Sequence, residues 1–142
     1  MLKNQEILLL QLRIMKYKLG KEEKLKSKKL IEQLFATGNR VKSFPLQLIY
    51  LPINHKDVFP NKVGFSVPKR SIKLAVNRNR MKRLMREVYR KNKYLFTEKI
   101  NQQYIFMFIY TSDEEIKYVD LEKSLKKVCI KFLNKIQINE KN

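Results

Sequence analysis

The sequence predicts one α+β domain, an α/β sandwich with element order αβββαβα, and three observations predict it. Apolar residues recur at helical spacing before Gly38, between about Ala75 and Tyr94, and after Asp120. Between the first two of these stretches lie three short segments of strand character. The run Gln103 to Tyr110 is apolar on both alternating faces, the mark of a strand covered on each side. At 142 residues the chain is close to one domain of roughly 150 residues. Its 44% hydrophobic content supplies a core and excludes whole-chain disorder, and its length argues against a two-domain enzyme with an interdomain cleft.

The elements follow in order. Met1 to Gly20 reads as an N-terminal extension, either flexible or weakly helical, or as an upstream start with Met15 as an alternative initiator. Residues 21–142 then form a single domain. Ser27 is a good N-cap for a helix carrying Leu30, Ile31, Leu34 and Phe35, and Gly38 suits the position just past its end. Arg40 to Ser43 and Leu46 to Ile53 are strand-like, Asn54 to Asp57 with Pro60 is a turn, and Lys62 to Val67 is a third strand closed by Pro68. After the long second helix and the buried strand, Asp120 offers an N-cap for a last helix. Its apolar stripe is Leu121, Leu125, Val128, Cys129, Phe132, Leu133 and Ile136.

Charge is the loudest feature: 32 Lys and Arg against 13 Asp and Glu leave a net +19. Such an excess destabilises a compact domain unless a polyanion supplies the missing negative charge, with nucleic acid the first candidate and an anionic membrane the second. The best apolar stretch, Ile7 to Met15, is interrupted by Gln11 and Arg13 and is shorter than the about 20 residues a span requires. It also lacks the small-residue cleavage site of a secretory signal, so a cytoplasmic product is expected. The single cysteine, Cys129, has no partner for an internal disulfide and reads as a buried small hydrophobe.

The segment from Ala75 to Tyr94 concentrates this charge. On a wheel at about 100° per residue with Arg78 at zero, Met81, Leu84, Met85, Val88 and Leu95 fall between about 240° and 340°. Arg78, Lys82, Arg86, Arg90, Arg83 and Asn79 fall between zero and about 140°, and Arg80 lies near 200°. Glu87 is the single acid between Arg78 and Lys93, so the basic face is expected to escape neutralisation by pairs within the helix. Like charges at i and i+4 repel by a few tenths of a kcal/mol each, and a solvated face would intersperse Glu. Arginine's planar fork suits phosphate oxygens or an unpaired base, which points to folded RNA. Asn79, a mild cost inside a helix unless its amide has a partner, is read as binding phosphate, a base edge or metal-bound water.

These residues carry a resemblance. Ala75-Val-Asn-Arg-Asn-Arg-Met-Lys-Arg-Leu-Met-Arg is similar to the characteristic helix of the bacterial ribonuclease P protein subunit, with its Arg-Asn-Arg core at Arg78, Asn79 and Arg80 followed by Lys82, Arg83 and Arg86. Gly64-Phe-Ser-Val-Pro-Lys-Arg resembles that family's strand and loop ending in two basic residues, here Lys69 and Arg70, and Leu34-Phe35-Ala-Thr-Gly38 resembles the end of its first helix. The likeness spans roughly Gly20 to Ile138. It departs at Ile31, where the family often has an aromatic, and in a loop between Arg70 and Ala75 that looks one residue longer. The resemblance implies a ribosomal protein S5 domain 2-like fold with a left-handed βαβ crossover, a rare exception to the usual handedness. It also implies docking of the Arg78 to Arg90 face, with Lys69 and Arg70, on the catalytic RNA. A cleft between the first helix and the sheet, lined by Phe35, Ile31 and a sheet aromatic assigned to Tyr50, would hold the 5′ leader of precursor tRNA.

The inventory for a protein nuclease is missing. Such an enzyme needs a general base, a nucleophile or a metal site. His55 is the only histidine and sits in a polar turn. Asp113, Glu114 and Glu115 read as an exposed loop or helix start, and neither a zinc spacing nor a Gly-rich phosphate loop occurs. In the family that Arg78 to Arg86 resembles, the catalytic groups belong to the RNA. The resemblance therefore implies no catalytic or metal-ligating residue on this chain, Mg2+ held by the RNA, and a monomer needing no protein partner. The alternative is a ribosomal or general RNA-binding module without a part in processing; DNA binding is weaker, because no helix-turn-helix partner precedes the basic helix.

Overall fold

A computed structural model describes residues 4–5, 19–53 and 61–141. His55 and most of the N-terminal extension lie outside them. A 3-10 turn at Lys21–Glu23 precedes α1 (Lys28–Thr37), β1 (Asn39–Ser43), β2 (Leu46–Ile53), β3 (Asn61–Ser66), α2 (Ala75–Asn92), the one-turn α3 (Tyr94–Thr97), β4 (Gln103–Tyr110) and α4 (Tyr118–Lys141). The strands form one sheet in the order β1-β2-β4-β3. The pairs β1·β2 and β2·β4 are antiparallel, while β3 and β4, joined through α2, are parallel neighbours.

Because side chains alternate across a strand, the sheet builds two cores. Leu46, Leu48 and Tyr50 of β2, Val63 of β3 and Tyr104, Phe106, Phe108 and Tyr110 of β4 meet Met81, Met85, Val88 and Tyr89 of α2 and Leu121, Leu125, Val128, Cys129, Phe132 and Ile136 of α4. The opposite face carries Ile49, Ile105, Met107 and Ile109, which pack with Leu25 and with Leu34 of α1. Seven of the eight β4 residues are buried, as expected for a central strand with helices on both faces.

The termini of the helices have local causes. Ser27 Oγ accepts the Leu30 amide at 3.3 Å, the expected N-cap of α1. Gly38 closes that helix in an extended conformation (φ −70°, ψ 151°), not a left-handed one. What demands glycine is space: a Cβ there would sit 2.4 Å from the Leu34 carbonyl oxygen and 2.7 Å from Ile49 Cγ2. The last helix starts at Tyr118, two residues before the expected cap, so Asp120 is a first-turn acid favoured by the helix dipole. The edge strand β1 is blunted by α4, which runs beside it in the opposite direction. Ser124 Oγ donates to the Phe44 carbonyl, Lys131 Nζ to that of Lys42 and Lys135 Nζ to that of Arg40.

Candidate nucleic-acid interface

α2 turns the predicted stripe inward. Met81, Met85 and Val88 are buried and Leu84 is half-buried. The buried side is wider than the wheel implied, since Tyr89 is also inside, and Asn92 is buried as a polar residue within the arc of the stripe. Tyr89 packs against Phe65, Phe96 and Phe108, and burial raises its phenol pKa far above the ordinary value. Asn92 spends its amide donors on the Val88 carbonyl (2.8 Å) and on Glu122 (3.0 Å), and that hydrogen bond holds the Glu122 carboxyl below the usual range. One residue on, Lys93 is buried and its Nζ reaches both carboxylate oxygens of Glu23 at 2.8 and 3.0 Å, tying the 3-10 turn to the end of α2. Glu23 Oε2 also accepts the Gly20 amide.

Loop carbonyls and two acids correct part of the expected basic face. Arg78 stands at the start of α2, and its guanidinium turns back to donate to the carbonyls of Ile72 (3.1 Å) and Lys73 (2.6 Å), bracing the loop that enters α2. Nor does the face escape pairing. Glu87 holds Arg90 through Nε (3.0 Å) and Nη2 (2.6 Å) and lies 3.9 Å from Lys91. The Arg90 hydrogen bond holds the Glu87 carboxyl below its ordinary range. Across the groove beside α2, Arg80 meets Glu115 at 3.5 Å in an exposed ion pair.

Lys82, Arg83 and Arg86 make no ion pair with any described residue. Arg83 and Arg86 are exposed and Lys82 is half-exposed; the Arg86 guanidinium stands 5.9 Å from the centre of the Phe65 ring. Asn79, Lys69 and Arg70 are exposed as well, the last two in the turn that follows Pro68. An open groove of about 930 Å³ runs along this helix, with Arg80, Arg83 and Leu84 on one wall and Ile116 and Tyr118 on the other. Its second wall comes from residues 115–120, which no spacing in the sequence connects to α2. Among the described residues no cluster of three or more His, Cys, Asp or Glu side chains is arranged to hold a metal.

The other candidate surface lies across the sheet. There α1 sets Leu34 fully buried over the apolar face, Ile31 partly buried against the same cluster, and Phe35, one turn after Ile31, 43% exposed. Strand register places Lys42, Gln47, Ile109 and Ser66 in one cross-strand row of this face, and Arg40, Ile49, Met107 and Gly64 in the next. Gly64 keeps the floor low: a Cβ there would come within 2.8 Å of Met107 Cε. Tyr50 does not belong to this cleft. It is 1% exposed on the opposite face, edge-on to Phe132 at 4.8 Å and near Tyr104, and burial raises its pKa. The assignment of Tyr50 to the leader surface is therefore withdrawn, because its parity in β2 is that of Leu46 and Leu48 and not that of Ile49.

A four-stranded α+β domain with an arginine-rich helix on one face and a short amphipathic helix over an apolar sheet face on the other defines a class of small basic proteins. The family model described as Ribonuclease P matches residues 19–133. The chain is 31% identical over 122 residues to the ribonuclease P protein component of Porphyromonas gingivalis strain ATCC 33277, covering 83% of this chain and 88% of that one. It is 40% identical over 82 residues to that of Chlorobaculum tepidum, covering 56% and 53%. Among solved structures, the fold is shared with the RNase P protein of Staphylococcus aureus (TM-score 0.60, 20% identity, 75% of this chain and 91% of that one) and with that of Thermotoga maritima (TM-score 0.60, 18% identity, 75% and 94%). The chain belongs to the ribonuclease P protein component family.

Proposed function

We propose that this protein grips the catalytic RNA of ribonuclease P through the outward face of α2 and holds the 5′ leader of precursor tRNA in the cleft between α1 and the sheet. Removal of the leader then matures the tRNA 5′ end. Bond breaking belongs to the RNA, with Mg2+ bound there; the protein binds and positions, acting as a monomer in the cytoplasm. The observation that carries the reading is the set Lys82, Arg83 and Arg86, cations on one helix face with no carboxylate partner among the described residues. Lys69, Arg70 and Asn79 extend that face. Arg80 and Arg90 join it by exchanging Glu115 and Glu87 for phosphate, while Arg78 acts by bracing the loop. In the cleft, Phe35 offers a half-exposed ring for a leader base, worth roughly 1–3 kcal/mol where stacking occurs, and Ile31 supplies apolar wall. The family resemblance adds that the β3-α2-β4 connection is a left-handed crossover of the ribosomal protein S5 domain 2 kind.

The test is reconstitution. Purified protein added to the cognate catalytic RNA should restore cleavage of precursor tRNA at moderate magnesium, with a larger gain for substrates that carry a leader. Absence of stimulation together with tight ribosome association would overturn the proposal in favour of a general RNA-binding module.

A further inference from the structure

A second basic row lies away from α2. On α4, Lys127, Lys131 and Lys135 follow one another at i, i+4 and i+8, stacked along one side at steps of about 6 Å. All are exposed, and none is in an ion pair with a described residue; Glu122 of α4 is taken by the neighbouring Lys126, at 3.7 Å, and by Asn92. Stacked like charges destabilise a helix. Two of the lysines are nonetheless held in place, Lys131 by the Lys42 carbonyl at 2.5 Å and Lys135 by the Arg40 carbonyl at 2.9 Å. Their ammonium groups therefore stand along the outer edge of β1. The side chains of Arg40 and Lys42, both exposed, share the sheet face of Ile49, Gln47 and Ile109, which is the floor of the α1 cleft. Basic charge thus continues from the cleft floor, around the β1 edge of the sheet and onto α4.

We propose that this row is an outer subsite for single-stranded RNA, binding the phosphates of leader nucleotides that extend beyond the α1 cleft. The inference rests on the reading of that cleft as the leader site and adds a direction to it: the strand leaves across β1, over Lys42 and Arg40, toward Lys131 and Lys135. The chemistry is that of backbone contacts, since ammonium groups on flexible stems meet phosphate oxygens without selecting bases. The subsite would therefore lengthen the bound leader without adding sequence preference.

The experiment uses the holoenzyme reconstituted with its RNA and two precursor tRNAs, one with a leader that just fills the cleft and one with a leader extended well past it. The triple variant Lys127→Gln, Lys131→Gln, Lys135→Gln removes the charge while leaving donors for the β1 carbonyls. The wild type should bind the extended substrate more tightly, and the variant should lose that gain. The salt dependence of the extended substrate should become shallower by about 2 log units per decade of salt, from three contacts at roughly 0.7 each. Binding of the short-leader substrate and of the catalytic RNA should stay at wild-type levels. Three results would overturn the inference: no gain from extension in the wild type, an unchanged gain and slope in the variant, or an equal loss for the catalytic RNA alone, which would place the row on that RNA. Failure of the underlying reading looks different, because a protein that is not the RNA's partner stimulates neither substrate.

Discussion

Replacing Glu87 with Gln offers a gain-of-binding test. Glu87 holds Arg90 in a two-point ion pair and lies near Lys91, so it is the acid that occupies the guanidinium face from within the helix. Both partners are more than a third exposed, and a pair of this kind contributes at most about 1 kcal/mol to folding; the variant should remain folded. If the face binds phosphate, removing this competing carboxylate adds about one contact. With a slope near 0.9 per contact, affinity for the cognate RNA at about 0.15 M salt should rise roughly fivefold and the salt dependence should steepen by about 0.9. The assay is equilibrium binding across a salt series. The pH dependence has a definite sign. The Arg90 hydrogen bond lowers the Glu87 pKa, so the stabilisation it brings is complete above the unfolded-state value and disappears as pH falls through the folded one. Wild type and variant should therefore converge only in acid, below the usual carboxylate range. A folded Glu87→Gln protein with unchanged or weaker RNA binding and an unchanged slope would refute the reasoning.

Other consequences are more local. Gly38→Ala should destabilise the fold by about 1–3 kcal/mol, because its Cβ would collide with a backbone carbonyl and with Ile49; thermal unfolding measures it, and an unchanged midpoint contradicts the close-approach account. Phe35→Ala should weaken binding of leader-bearing precursor tRNA by about 1–3 kcal/mol and leave leaderless substrate alone. Tyr50→Phe should change neither, and leader sensitivity at Tyr50 in a folded protein would contradict its placement under α4. Burial pushes the Cys129 thiol up to about 12, so thiol reagents at neutral pH should modify it only on unfolding, and rapid labelling of native protein would show the core to be more open than described.

The sequence was most legible where one pattern had one meaning. Gln103 to Tyr110 is apolar on both parities and became the central strand with those same limits. Ser27 before Leu30 and Ile31 became the first N-cap. Tyr50 shows where legibility ended: β2 is also apolar on both parities, so alternation separates Tyr50 from Ile49 without saying which face the cleft helix covers. The α2 wheel located Met81, Met85 and Val88 but not Tyr89, whose ring at the rim widens the buried face, nor Asn92, which falls within the arc but is polar and is buried because Val88 and Glu122 satisfy its amide. Arg78 turns to the Ile72 and Lys73 carbonyls, acceptors that the folded loop before α2 presents and a helical wheel does not include. The partners Glu115 for Arg80 and Glu23 for Lys93 lie 35 and 70 residues from them, and such pairs exist only once the chain has folded.

The most direct measurement is the salt dependence of binding to the cognate ribonuclease P RNA for the triple variant Lys82→Ala, Arg83→Ala, Arg86→Ala, with folding verified by circular dichroism. If these cations hold phosphates, binding should weaken and the slope should become shallower by about 2.7, from three contacts at roughly 0.9 each. A folded triple variant that binds with wild-type affinity and slope would contradict the account and move the RNA surface away from α2.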